Sequence, residues 1–165
     1  MTWTDIREAG DALHAIDIVE SLAEDRSWEF DRIADDRIAV AIEGQWRTYA
    51  LSLSIVDDAL RLVCSFEMDP PSGRQAALLE AINLANDGLW GGSFSYWAEQ
   101  RLMVWRYGLL LADGQPVSEP QVDRMLRAAL MSCERFYPAF QLVCWGERAP
   151  SDALQVAIAE AYGRA

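Results

Sequence analysis

Two consecutive apolar strands are predicted between Ser93 and Leu111, and they constrain the fold more than any other stretch of the chain. A strand with one face in water alternates apolar and polar residues, whereas this segment has large side chains on both faces. If helices cover one face, the rings on the other face need a second protein surface. We therefore predict that this outward face binds a partner. The residues assigned to it are Trp97, Met103, Trp105, Tyr107 and Leu109.

An antiparallel meander of four strands is predicted before this segment. Apolar residues alternate with polar ones in each strand, and only two or three polar residues join one strand to the next. Connections this short exclude parallel pairing, which needs a long crossover. The strands span residues 28–33, 38–42, 49–55 and 60–68.

Four helices are predicted around the strands. Residues 11–25 form the first and residues 74–87 the second. A capping box at Ser118–Gln121 begins a long third helix, which kinks before Pro138 and ends at Gly146, and Pro150–Gly163 forms the fourth. The fold class is therefore α+β, in the order α-ββββ-α-ββ-α-α. We expect one domain over residues 1–165, with a core at about 12–145, an antiparallel sheet of five to six strands and helices on one face.

Composition excludes several classes of partner. The formal net charge of -12, with 14 Arg and no Lys, opposes binding to nucleic acid, while an acidic surface can attract basic protein segments. No apolar run approaches the roughly 20 residues that span a bilayer, and the first residues do not resemble a secretory signal. We therefore expect a cytoplasmic protein that binds no membrane. The three cysteines form no CxxC pair and are expected to be reduced core thiols.

Residues that could carry catalysis are few. His14 is the only histidine, and the carboxylate pairs Asp35–Asp36 and Asp57–Asp58 lie at predicted turns, where Asp bonds the local backbone. Gly91–Gly92 is better explained as a tight turn into the fifth strand than as a phosphate loop. We predict no catalytic residue, no metal ligand and no cofactor, and therefore no enzyme. A hydrolase using His14 or a carboxylate pair is a third hypothesis, after protein binding and the ligand sensor described next.

Two asparagines in the second helix suggest a different function. Asn is a weak helix former, so Asn83 and Asn86 either bond the neighbouring backbone or bind a ligand. The alternative to a protein-binding domain is therefore a small-ligand sensor, with a pocket between the second helix and the sheet. Asn83, Asn86 and Arg106 are the residues assigned to that pocket.

The order of elements and its aromatic and asparagine patterns resemble the YbjN family of bacterial sensory-transduction regulators. The matching segments are residues 28–44, 62–66, 78–86 and 94–107. The resemblance as a whole spans roughly residues 14–145. The resemblance implies a fold similar to type III secretion chaperones, which form homodimers and bind protein segments. It implies no reaction, and the helical C-terminus from Ser118 to Gly163 departs from those chaperones. We thus expect a regulatory or chaperone-like homodimer that binds an unidentified protein segment.

Overall fold

The computed structural model describes residues 15–112 and 116–163, with side chains up to residue 158. The first helix, α1, is described over residues 15–25, so its predicted start at Asp11 lies outside the described residues, as does His14. The other elements are β1 (Glu29–Ala34), β2 (Arg37–Glu43), β3 (Thr48–Val56), β4 (Ala59–Glu67), α2 (Gln75–Asp87), β5 (Ser93–Trp97), β6 (Leu102–Leu110), α3 (Glu119–Cys144) and α4 (Pro150–Gly163). The predicted α+β class and order of elements are confirmed.

The six strands form one antiparallel sheet in the order β1-β2-β3-β4-β6-β5. The first four strands pair in sequence as the meander predicts. The β5–β6 hairpin then joins the sheet through β6, which pairs with β4 along its whole length. This long-range pairing decides which face of β6 is covered.

Helices α1, α2 and α3 lie on one face of the sheet, here called the inner face, and α4 packs on α2 and α3. One row of paired residues crosses all six strands on this face: Phe30, Val40, Leu51, Cys64, Trp105 and Phe94. From α1, Asp17 and Glu20 form ion pairs with Arg32 of β1. From α3, the Cys133 thiol lies 3.6 Å from the Cys64 thiol on β4. The core therefore lies between the inner face and the helices.

The opposite or outer face of the sheet follows the other half of the alternation. Its neighbouring row consists of Asp31, Ala39, Ser52, Val63, Arg106 and Ser93. Small and polar side chains dominate this row, as expected for a sheet with one solvated face. Trp105 and Tyr107 are therefore absent from the outer face to which their alternation was predicted to assign them, whereas Trp97 at the end of β5 lies on it.

The third helix begins as its sequence predicts. The Ser118 hydroxyl accepts a hydrogen bond from the Gln121 amide, and the Gln121 side chain accepts one from the Ser118 amide. This reciprocal pair satisfies two backbone donors at the start of the helix. The helix continues through Pro138 to Cys144, which gives the fold one long element across the sheet.

Candidate functional site

The predicted partner-binding face of β6 points into the protein, so that prediction of its orientation is wrong. Met103 and Trp105 are both 0% exposed, and Tyr107 and Leu109 are half-buried. Direct pairing places Trp105 opposite Cys64 and Phe94, whose side chains face the helices. Because alternation fixes the whole strand once one residue is placed, all four side chains belong to the inner face. They contribute to the core, and the argument that they form an exposed docking surface no longer holds.

Trp97, the fifth predicted partner-binding residue, is separate from the other four. It pairs with Leu102 at the end of β5 and is 37% exposed. The five residues therefore do not form one surface.

Three residues were assigned to a ligand pocket between α2 and the sheet, and the structure does not bring them together. Asn86 bonds both backbone groups of Phe94, with its Nδ2 donating to the carbonyl at 3.0 Å and its Oδ1 accepting from the amide at 2.7 Å. Asn83 is exposed. Arg106 lies on the outer face, where its guanidinium is 3.4 Å from the Ser95 hydroxyl. Asn86 therefore ties α2 to β5, and the predicted pocket does not form from these residues.

The carboxylate pairs lie at exposed turns, Asp35–Asp36 between β1 and β2 and Asp57–Asp58 between β3 and β4. Within the described part of the chain, no three His, Cys, Asp or Glu side chains are grouped to hold a metal ion. All three cysteines are buried and free, as predicted. Burial raises the pKa of the Cys144 thiol to about 11, and the contact with Cys64, together with burial, raises that of Cys133 well above its ordinary value. The Cys133 and Cys144 thiols are therefore poor nucleophiles.

A surface cavity of about 690 Å³ lies along α3, and sequence reasoning did not find it. We call it the α3 groove. Its apolar lining comes from α3, the turn between β2 and β3, and the segment after α2. The residues that line it are Gln45, Trp46, Leu89, Ala128, Leu130, Met131, Ser132, Glu134, Arg135 and Phe136.

The rim of the α3 groove exposes large apolar side chains. Met131 is 71% exposed and Trp46 is 44% exposed, although one side of Trp46 stacks on Tyr137 with 6.4 Å between ring centroids. Aromatic residues and methionine are enriched at protein interfaces, and methionine adapts its shape to different partners. The sequence around Trp46 indicates only a turn at Gly44. The fold alone places Trp46 beside Met131.

Two charged side chains of the groove, Glu134 and Arg135, contact different neighbours of α3. Glu134 extends toward Gly44, where a Cβ atom would collide with its carboxylate, and the absence of a side chain there leaves it room beside Tyr49. Burial raises the pKa of Tyr49, and the Glu134 carboxylate raises it further. Arg135 lies over the Phe136 ring at 5.1 Å and contacts the Ala157 carbonyl of α4 at 3.4 Å. Glu134 thus extends toward the β2–β3 turn, and Arg135 extends toward α4.

A second, smaller cavity of about 270 Å³ lies between β6 and the first half of α3. Tyr107 and Leu109 line it together with Gly91, and Ala128 borders both cavities. The segment between α2 and β5 therefore lies beside α3 at the place where the two cavities meet.

Among the described helices, none is long and apolar enough to cross a bilayer.

Comparison with known proteins identifies similar sequences and a similar fold. The model of the YbjN family, described as "Putative bacterial sensory transduction regulator", matches residues 15–142. One similar solved structure is the "Crystal structure of YbjN, a putative transcription regulator from E. coli", with 12% identity, a TM-score of 0.50, and coverage of 71% of this chain and 84% of that chain. At this identity the likeness concerns the fold alone. The comparison with curated proteins finds no match.

Proposed function

The chain belongs to the YbjN family, and from that membership we propose that it is a regulatory domain that acts by binding a segment of another protein in the α3 groove. The observation that carries this proposal is the apolar groove itself, with Trp46 and Met131 exposed at its rim. Large apolar side chains left in water around a concave surface are typical of interaction sites.

The chemistry of the groove defines the segment that would bind there. Its apolar lining favours a segment that presents one or two large apolar side chains, as an amphipathic helix does. The net charge of -12 favours basic residues beside those anchors, because long-range attraction brings oppositely charged segments to the surface. The proposed ligand is therefore an apolar segment flanked by Arg or Lys.

The proposal includes a homodimer with a regulatory or chaperone-like role and no catalytic activity. The resemblance implied for the family, to homodimeric secretion chaperones, supports the homodimer and its regulatory or chaperone-like role. The separation of the carboxylate pairs from the α3 groove supports the absence of catalytic activity. A cytoplasmic location is part of the same proposal, since three buried free thiols suit a reducing compartment.

A small-ligand sensor is the second candidate, and the size of the α3 groove favours it. A volume of about 690 Å³ lies within the range of cavities that bind drug-sized molecules. The sensor would then use this groove in place of the predicted pocket at Asn83, Asn86 and Arg106. Thermal-shift screening with metabolite libraries tests this candidate, which requires stabilisation by a small molecule and loss of that effect when the groove is altered.

Selection from a displayed random-peptide library tests segment binding directly. The full chain should enrich peptides with large apolar residues next to Arg or Lys. Met131→Glu places a charge in the groove and should abolish their binding, because a buried unpaired carboxylate is costly. Leu79→Glu is the matched control, since Leu79 is an exposed apolar residue of α2 outside the groove.

Two results would contradict segment binding in the groove. One is a failure to enrich any peptide family with the folded protein. The other is equal peptide affinity in Met131→Glu and Leu79→Glu, which would place the site elsewhere.

A further inference from the structure

Trp90 is the most exposed large apolar residue of the described chain, with a relative exposure of 101%. It lies in the segment between α2 and β5, directly after Leu89, which lines the α3 groove. A tryptophan side chain offers about 200 Å² of largely apolar surface, against the roughly 800 Å² that each partner buries in a stable interface. Trp90 alone could therefore supply about a quarter of one side of an interface.

The backbone around Trp90 is held in place from both sides. Before it, the Leu89 amide donates to the Asn86 carbonyl at 3.0 Å, while the Asn86 side chain binds both backbone groups of Phe94. After it, Gly92 has a φ of +73°, and a Cβ atom there would collide with the Trp105 ring. An exposed aromatic side chain on a fixed segment is a preorganised anchor, because little backbone freedom is lost when it binds.

The position of Trp90 beside the groove determines what kind of assembly it can form. In a closed two-fold dimer, the anchor and the pocket that receives it belong to the same surface patch. An anchor on a different surface patch from the pocket would instead produce a head-to-tail contact, which forms a ring or an open chain of molecules. Because Leu89 lines the groove and Trp90 follows it, one two-fold axis can place each Trp90 in the other molecule's groove.

We propose that the homodimer forms by reciprocal insertion of Trp90 into the α3 groove of a second copy of this chain, beside Met131 and Trp46. This inference rests on the proposed function, which supplies both the homodimer and the groove. It adds a form of regulation, since Trp90 and a partner segment would occupy the same groove. The dimer is then the resting state, and binding of a segment releases monomers.

Sedimentation equilibrium of the full chain tests the role of Trp90. Trp90→Ala should raise the dimer dissociation constant by about a thousandfold, because each of the two buried tryptophan anchors contributes about thirtyfold. Trp145→Ala is the matched control, since Trp145 is 49% exposed and does not line the groove. It should leave the dissociation constant unchanged. Circular dichroism establishes that both variants are folded.

Mixing two variants gives a result that damage to the fold cannot mimic. Trp90→Ala retains an intact groove, and Met131→Glu retains an intact anchor. Each should be monomeric alone, whereas the mixture should form a weak heterodimer through one inserted Trp90. A peptide selected on the groove should convert the wild-type dimer to monomers.

The outcomes separate this inference from the function on which it rests. A wild-type chain that stays monomeric at all concentrations contradicts both the homodimer and the insertion of Trp90. A wild-type dimer that Trp90→Ala leaves intact contradicts the insertion alone, and the homodimer then uses another surface. A peptide that binds the groove without dissociating the dimer also contradicts the insertion.

Discussion

Trp105 and Trp90 are chemically identical side chains with opposite environments. Trp105 lies on the inner face of β6, completely buried and stacked on Tyr107 with 6.0 Å between ring centroids. Trp90 lies fully in water on the segment before β5. The comparison shows that an aromatic residue stabilises a fold only where neighbouring elements supply a surface to cover it.

The two tryptophans are also structurally connected through Gly92. The Trp105 ring fills the space where a side chain at Gly92 would lie, and this contact fixes the backbone that carries Trp90. One tryptophan therefore helps to position the other. Three predictions test this comparison and a fourth gives the scale of a surface contact, from the largest expected effect to the smallest.

Trp105→Ala should lower the free energy of unfolding by about 3–5 kcal/mol, because it removes a large buried ring and leaves a cavity. Trp90→Ala should change it by less than about 0.5 kcal/mol at concentrations where the chain is monomeric. Urea titrations followed by circular dichroism measure both values. Similar losses for the two variants would show that the contrast in burial is wrong.

Gly92→Ala should cost about 2–4 kcal/mol, since it adds a methyl group against the Trp105 ring at a positive φ. Gly73→Ala is the matched control, because Gly73 has a φ of +86° and no atom within 4 Å of an added Cβ. It should cost only about 1 kcal/mol. In a Trp105→Phe background, the cost of Gly92→Ala should fall by about 1 kcal/mol or more, as expected for residues in contact. Equal costs in both backgrounds would contradict the Gly92–Trp105 contact.

Asn86→Ala should cost about 1–3 kcal/mol, because it leaves two backbone groups of Phe94 without their partner. Asn83→Ala, on the same helix but exposed, should change stability by less than about 0.5 kcal/mol. Hydrogen exchange provides the sharper measurement. Asn86→Ala should accelerate amide exchange in residues 89–92, and unchanged exchange would show that Asn86 does not fix the segment that carries Trp90.

Asp123→Asn should have the smallest effect, and one that depends on pH. The hydrogen bond from Arg26 of the α1–β1 turn lowers the pKa of Asp123 on α3. Because the folded-state pKa lies below the unfolded value, the stabilisation is present above that unfolded value of about 4 and is lost as the pH falls through the folded-state value. The variant should be less stable than wild type by about 1 kcal/mol or less at neutral pH.

Urea titrations from neutral to acidic pH test this prediction, because the difference between the two proteins should shrink in acid. A difference that stays constant with pH would contradict it. Neither Trp105 nor Trp90 belongs to this ion pair. The loss of stability in Asp123→Asn therefore shows how little a surface ion pair contributes beside the buried ring of Trp105.

Local pattern was sufficient to predict most elements of the fold. Alternating residues in β2 to β4 and helical spacing in α2 and α3 produce the elements that the structure shows. The capping box at Ser118 and Gln121 was also predicted, because its partners lie within one helical turn. The unusual character of Asn86 was recognised, and of its two interpretations the structure supports bonding to the neighbouring backbone.

The candidate site was much less predictable. The α3 groove brings together Trp46 from a turn and Met131 from a helix, which are distant in sequence. Nothing in the sequence pattern singles out Trp90, because no periodicity distinguishes an exposed tryptophan from a buried one in a short connecting segment.

By itself, the sequence determined the strands, the helices and the two sets of side chains that alternate along β6, because these depend on residues close together in the chain. Only the tertiary structure decided which of the two sets is covered. Pairing between β4 and β6 places Trp105 opposite Cys64, under α3, and a one-residue shift would have turned it to the solvent. The same packing left Trp90 exposed beside a groove, because burial depends on which distant elements meet and not on the side chain alone.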